Sequence, residues 1–361
     1  MRWFDQLLIL LRLKKLETIK SLFGVDPAPM MLSDKGYTTT DLPVSSPDLV
    51  VGLELEIESW DGDNEYRGFE FKEDNSLRGN SIEAVTRPTK VKYLHHLLTG
   101  FFDHNKITES NYSERCGTHV HMNVSDLTED QLATFCMLYQ VCERLLFTYV
   151  GDDRDKNIFC VPWEQAGISY DLLHNLRTRR VDFGRSWRKY TALNLVPITS
   201  FGSVEFRHLP GTCDVPYIMG WINLIGCMYN YAKSRSYTDT QKTVIDLNTS
   251  SAYNAFITDI FGEYTSLFTV DNLHEQLEIG VINVKLMSIS DLKPKSKIKT
   301  PAEKYNLAYI DDLVNEDMLR AITNLQRTGR LDRTAATIPA RPPAPPRVWG
   351  EYAAPDEPVQ F

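Results

Sequence analysis

The chain of 361 residues is 42% hydrophobic and 24% charged, the balance of an ordinary soluble globular protein. Its formal net charge of −9 speaks against non-specific nucleic-acid binding, and no run reaches the roughly 18 apolar residues of a membrane span. Six cysteines with no Cys-x-x-Cys pair or regular spacing read as free thiols of a reducing compartment, so the cytoplasm is the expected location.

Residues 2–23 carry Leu7, Leu8, Leu11, Leu16, Ile19 and Leu22 among Arg12, Lys14, Lys15 and Lys20. That pattern predicts an amphipathic helix that docks on its own domain or on a second subunit, not a signal peptide. Residues 24–48 are rich in Pro, Ser, Thr and Asp and read as a linker. The next stretch, Leu49–Trp60, is a strand pattern. Val51, Leu53, Leu55 and Ile57 alternate with Gly52, Glu54, Glu56 and Glu58, so three carboxylates share one face about 7 Å apart. Such a face is either a solvated edge that discourages aggregation or a divalent-cation site, because hard cations take carboxylate oxygens. Glu58, the outermost of the three, reads as a solvated residue.

Phe69–Lys72 is read as a returning strand after the turn at Trp60–Asn64. Ser81–Pro88 is a strand stopped by proline, with Glu83, Val85 and Arg87 on one side. Val91–Asn105 is a helix whose His95, His96 and His104 are surface or packing residues. Glu114–Val124 alternates again: Val120, Met122 and Val124 face one way, His119, His121 and Asn123 the other. Two histidines at i and i+2 on a polar face favour a ligand or phosphate site.

Thr128-Glu-Asp-Gln131 is a capping box that opens a long core helix to about Val150. Arg177, Arg179, Arg180, Arg185 and Arg188 form either a solvated basic face or a store of positive charge for phosphate and carboxylate ligands. Tyr190–Leu195 leads into Gly202–Leu209, where Glu205 and Arg207 lie opposite Val204 and Phe206, and an apolar helix follows from about Val215 to Tyr231. The expected organisation is a helix and linker over 1–45, a catalytic domain over 46–235, a mostly helical extension over 236–330 and a proline-rich, disordered tail over 331–361.

Four predicted strands thus each bury one side and present acid or imidazole on the other. As neighbours in one antiparallel sheet they would make a carboxylate-lined surface suited to divalent ions and phosphoryl transfer. The order of the motifs (Gly-x-Glu-x-Glu, Asp-x-Ser, Cys-Gly-Thr-His-Val-His, Tyr-x-x-Leu-Asn, Glu-Phe-Arg, Gly-Thr) resembles the amidoligase family of phage and bacterial genomes. These are glutamine synthetase-like carboxylate–amine ligases, and the resemblance covers about residues 50–231. It implies an α+β fold, a curved antiparallel sheet with helices packed on one face. It implies ATP as the energy source and Mg²⁺ as the cofactor, with Mn²⁺ also open because histidine suits a softer ion.

By the same resemblance Glu56 and Glu83 ligate a metal near the acyl phosphate, while Glu54, His119 and Glu205 ligate a second one. His121 contacts nucleotide phosphate, Arg207 clamps the transferred phosphoryl group, and Arg185 and Arg188 are further phosphate or substrate contacts. Asp74, Ser76 and Asn194 fall on the substrate side. The implied substrates are a small-molecule or peptide carboxylate and an amine, in a protein free to act alone or as a homo-oligomer. Two other readings stand beside this one: a non-catalytic protein retaining the fold, and a metal-dependent hydrolase built on His119 and His121. The latter needs further ligands, for which the nearest candidates are His208 and Asp214.

Overall fold

The computed structural model describes residues 17–32, 36–74, 76–151, 153–166 and 190–291. Of the helix predicted over 2–23, the described part is not continuous: Thr18 is extended, bridges to Thr128 and caps a short helix of its own over Ile19–Phe23. The stretch before residue 17, the arginine cluster at 177–188 and the proline-rich tail lie outside the described residues. The compact unit that holds every described residue ends at Asp291.

The alternating stretches form one open antiparallel sheet of seven strands: β1 (Val50–Glu58), β2 (Phe69–Lys72), β3 (Ser81–Thr86), β4 (Thr89–Lys90), β5 (Gly117–Asn123), β6 (Leu193–Asn194) and β7 (Ser203–Pro210). The spatial order is β2-β3-β1-β5-β7-β6, with β4 paired to the start of β1. This is the expected α+β architecture. The glutamate strand is central because its apolar residues leave nothing for water: Val51, Leu53, Leu55 and Ile57 are all fully buried. Proline at 88 ends β3 at Thr86, and the two residues after it re-enter the sheet as β4. Tyr190–Leu195 supplies only the two-residue β6.

Three helices lie over the apolar side: α1 (Val91–Asn105), α2 (Glu129–Val150) and α3 (Val215–Ser234). Thr128 and Gln131 make the predicted reciprocal cap at the start of α2. That helix is buried on nearly every side, since α3 and β7 pack on one flank and a later helix on another. The residues after 236 add α4 (Tyr237–Ile245), α5 (Ser250–Phe261) and α6 (Leu273–Asp291) to the same unit.

The approach of α6 to α2 depends on Gly280. A Cβ there would stand 2.5 Å from the Cα of Val141 and 2.7 Å from its carbonyl oxygen, backbone atoms that cannot rotate aside. Gly280→Val is therefore expected to destabilise by about 1–3 kcal/mol through overpacking, read from the midpoint of urea unfolding.

A candidate metal and phosphate site on the polar sheet face

Register brings the polar residues of four strands together. Glu54 lies opposite Val85 and His119, Glu56 opposite Glu83, Gly52 opposite His121, and His121 opposite Glu205. Because side chains alternate along each strand, all of these project from the face away from the helices. The acids do not stand free. Glu54 Oε2 is 3.1 Å from His119 Nδ1, and its Oε1 is 3.0 Å from His121 Nε2. His119 also reaches Glu205 at 3.5 Å and Glu56 at 3.7 Å, so one imidazole bridges three carboxylates. Glu56 accepts the Gly117 backbone N–H at 2.6 Å. A Cβ on Gly117 would approach His119 Nε2 to 2.8 Å, so the glycine of the Cys-Gly-Thr-His motif leaves room for the imidazole two residues on.

At the far strand, Glu205 is buried and triply engaged. It pairs with the Arg207 guanidinium, accepts Asn194 Nδ2 at 2.7 Å and faces His119. Asn194 spends its other polar atom on the Val196 N–H, so in this structure it positions Glu205. Arg207 also donates to the carbonyl of Phe159 at 2.9 Å. On the opposite flank Lys72 is 3.9 Å from Glu83. Asp74 and Ser76 bond to one another, side chain to side chain and side chain to backbone, as a local turn. Asp74 is close enough to Glu56 and Glu83 to push both their pKa values upward. Arg185 and Arg188 lie outside the described residues.

Three sequence expectations are corrected. Glu58 is not solvated: it is 9% exposed and accepts the Arg78 N–H at 2.9 Å, which fixes the loop before β3. His208 and Asp214 are not available as ligands. The pairing of β5 with β7 slips at Thr118–Val120, where two residues of β7 oppose one of β5. His208 keeps step with Val204 and Phe206 on the apolar side of β7 and packs in the core against Phe147 and Trp221, where burial drives its pKa down to about 3. Asp214 caps α3 by accepting the Tyr217 N–H at 3.0 Å. The hydrolase reading loses both of its extra ligands.

The bulge also exposes a residue with no sequence signal. Arg154, from the irregular loop after α2, is buried and donates to the carbonyls of His208 at 2.8 Å and Arg207 at 2.9 Å. A regular strand directs successive carbonyls to opposite sides, so the bulge calls for a fork-shaped donor to satisfy both.

Burial opposes ionisation of Glu54, but hydrogen bonds from His119 and His121 outweigh it and hold the carboxyl well below its usual range. Burial likewise opposes the charge on His121, and Glu54 overcomes it and raises the imidazole pKa. Glu56 and Glu83 go the other way: burial raises both, helped for Glu83 by the Glu54 charge. The signs fix a pH profile without divalent ions. The raised His121 stabilises fully below the ordinary histidine range, and that stability fades as pH climbs through the raised value. The depressed Glu54 stabilises above the ordinary carboxylate range, while raised Glu56 and Glu83 cost more stability as pH rises past that range. Maximal stability is expected between about pH 5 and about pH 6.5, with a decline toward higher pH. Mn²⁺ or Mg²⁺ should flatten that decline in melting curves.

The donor set fits such an ion. Glu54, His121 and Glu205 each offer one ligand atom, all within 4.8 Å of one another. Carboxylate oxygens with an imidazole suit Mn²⁺ and tolerate Mg²⁺. Glu56 and Glu83, directly opposed like charges, offer a second pair. Among the described residues no helix is long and apolar enough to cross a membrane. No curated protein matches the chain. Glu54, Glu56 and Glu83 lie upstream of the segment that a family model covers, which takes in β5, α2, β6, β7 and part of α3. Across residues 102–227 the chain matches the family described as putative amidoligase enzyme, which bears out the family resemblance carried by its motifs.

Proposed function

We propose that the protein is an ATP-dependent carboxylate–amine ligase that forms an amide through an acyl phosphate. The observation that carries this reading is the convergence of Glu54, Glu56, Glu83 and Glu205 with His119, His121 and Arg207 on one largely buried sheet face. Four acids there outnumber the cations, and a polyanionic substrate could not enter without divalent metal. Bound metal ions would offset the charge of ATP and of the acid substrate. Glu54, Glu205 and the imidazoles would hold one ion, Glu56 and Glu83 the other.

In the reaction a carboxylate oxygen attacks the γ-phosphorus and ADP leaves. An amine nitrogen then attacks the acyl carbon, the C–O bond to phosphate breaks, and the amine proton passes to a base. Arg207, held by Glu205 and the Phe159 carbonyl, would meet charge on the transferred group without reorganising. The test is to incubate the protein with ATP, Mg²⁺ or Mn²⁺, pooled carboxylic acids and hydroxylamine as a surrogate amine. The expected result is hydroxamate formed in step with ADP. Hydroxamate without ATP, or no ADP release with any acid pool, would overturn the proposal.

A further inference from the structure

Beyond Glu54 and His121, on the same polar face, lies a cavity of about 240 Å³. Gly52, Glu54, Val85 and His121 form its floor, and Met30 and Phe201 stand at its rim. The floor is open because residue 52 is glycine. A Cβ there would meet the Thr86 carbonyl at 3.6 Å and His121 Cβ at 3.9 Å, ordinary contacts that would not strain the strand. The backbone at Gly52 is ordinary strand, so what the glycine supplies is space beside the acids.

The rim is apolar and uncovered: Met30 is 47% exposed and Phe201 54% exposed. Met30 comes from a segment far outside the family match. That segment is tied down by Ile19, whose side chain is buried and whose N–H donates to the Leu127 carbonyl at 2.8 Å. Two large, exposed apolar side chains lining one cavity suit a flat ring, through stacking on phenylalanine and sulfur contact with methionine. Lys72 and Arg87 add positive charge to the same lining. The cavity opens onto Glu54 and His121, where metal-bound phosphates would lie, whereas Glu83, Asp74 and Arg207 lie toward the other end of the face.

We propose that this cavity seats the purine base of a nucleoside triphosphate, with Gly52 as its floor and Met30 and Phe201 as its specificity-determining walls. The proposal rests on the ATP reading above and assigns part of the site to the N-terminal segment. The test is calorimetric binding of Mg-ATP and of Mg-tripolyphosphate, which carries the phosphates without the base, to the full chain. In the wild type ATP should bind at least about tenfold more tightly than tripolyphosphate. Gly52→Val, which fills the floor with a residue suited to strands, should erase that margin and leave tripolyphosphate binding unchanged. Phe201→Ala, a half-exposed position that threatens folding least, should weaken ATP about tenfold and tripolyphosphate not at all. Equal affinity for the two ligands, unchanged by either variant, would overturn the base site and leave the triphosphate reading standing. Binding of neither ligand would overturn the ATP reading, and this proposal with it.

Discussion

Glu205→Ala is expected to lower the stability of the unliganded protein by about 3–5 kcal/mol, the cost of leaving a buried charge without its partner. Arg207 is buried, and Glu205 is its only acidic partner among the described residues. Asn194 would lose its acceptor as well. Removing both charges together changes the expectation. Glu205→Met with Arg207→Met should recover most of the loss, because two well-packed apolar side chains replace an ion pair whose desolvation was costly. Urea unfolding of the wild type and the two variants decides it. If the double variant were no more stable than Glu205→Ala, the pair would not be the source of the loss. Neither variant should respond to divalent ions, since Glu205 supplies a ligand atom to the candidate metal group.

Arg154→Met should cost about 3 kcal/mol, from two charge-assisted hydrogen bonds worth about 1.5–3 kcal/mol each, partly offset by the easier burial of methionine. The carbonyls of Arg207 and His208 would be left unsatisfied inside the bulge. Arg154→Lys should fail nearly as badly, because an ammonium is a point donor and cannot span two carbonyls as a fork does. Urea unfolding measures both. A loss below about 0.5 kcal/mol in Arg154→Met would show that water or a relaxed bulge satisfies the carbonyls instead.

Much of the fold could be read in the sequence because the strongest signals are local. Alternation along Val51–Ile57, His119–Val124 and Val204–Arg207 identified three strands and which side of each was polar. The capping pair Thr128 and Gln131 fixed the start of α2, and Pro88 marked the end of β3. The strand order was not local and could not be read. That Glu54 meets His119, and His121 meets Glu205, depends on long-range pairings between β1, β5 and β7. The family resemblance, not the periodicity, brought those residues into one site.

The remainder was hidden for physical reasons. The bulge in β7 has no local signal, so the sequence does not show that Leu209, in step with Glu205 and Arg207, joins the core instead of the polar face. Arg154 sits in an irregular loop where no periodicity predicts burial. Glu58 continues the alternation of its strand, and only the backbone N–H of Arg78 distinguishes it from a solvated glutamate. Asn194 and Ser76 carry motif positions, yet their described partners are other protein groups, Glu205 and Asp74.

The central claim is that the acidic sheet face binds nucleotide through divalent metal, and thermal unfolding with and without Mg-ATP tests it most directly. A ligand at 100 times its dissociation constant adds about 2.7 kcal/mol, enough to raise the melting temperature by several degrees. The expected result is a metal-dependent rise in the wild type that disappears in Glu54→Ala, where both imidazoles lose their shared carboxylate. No rise with ATP and either Mg²⁺ or Mn²⁺ in the wild type, or an equal rise in Glu54→Ala, would contradict it.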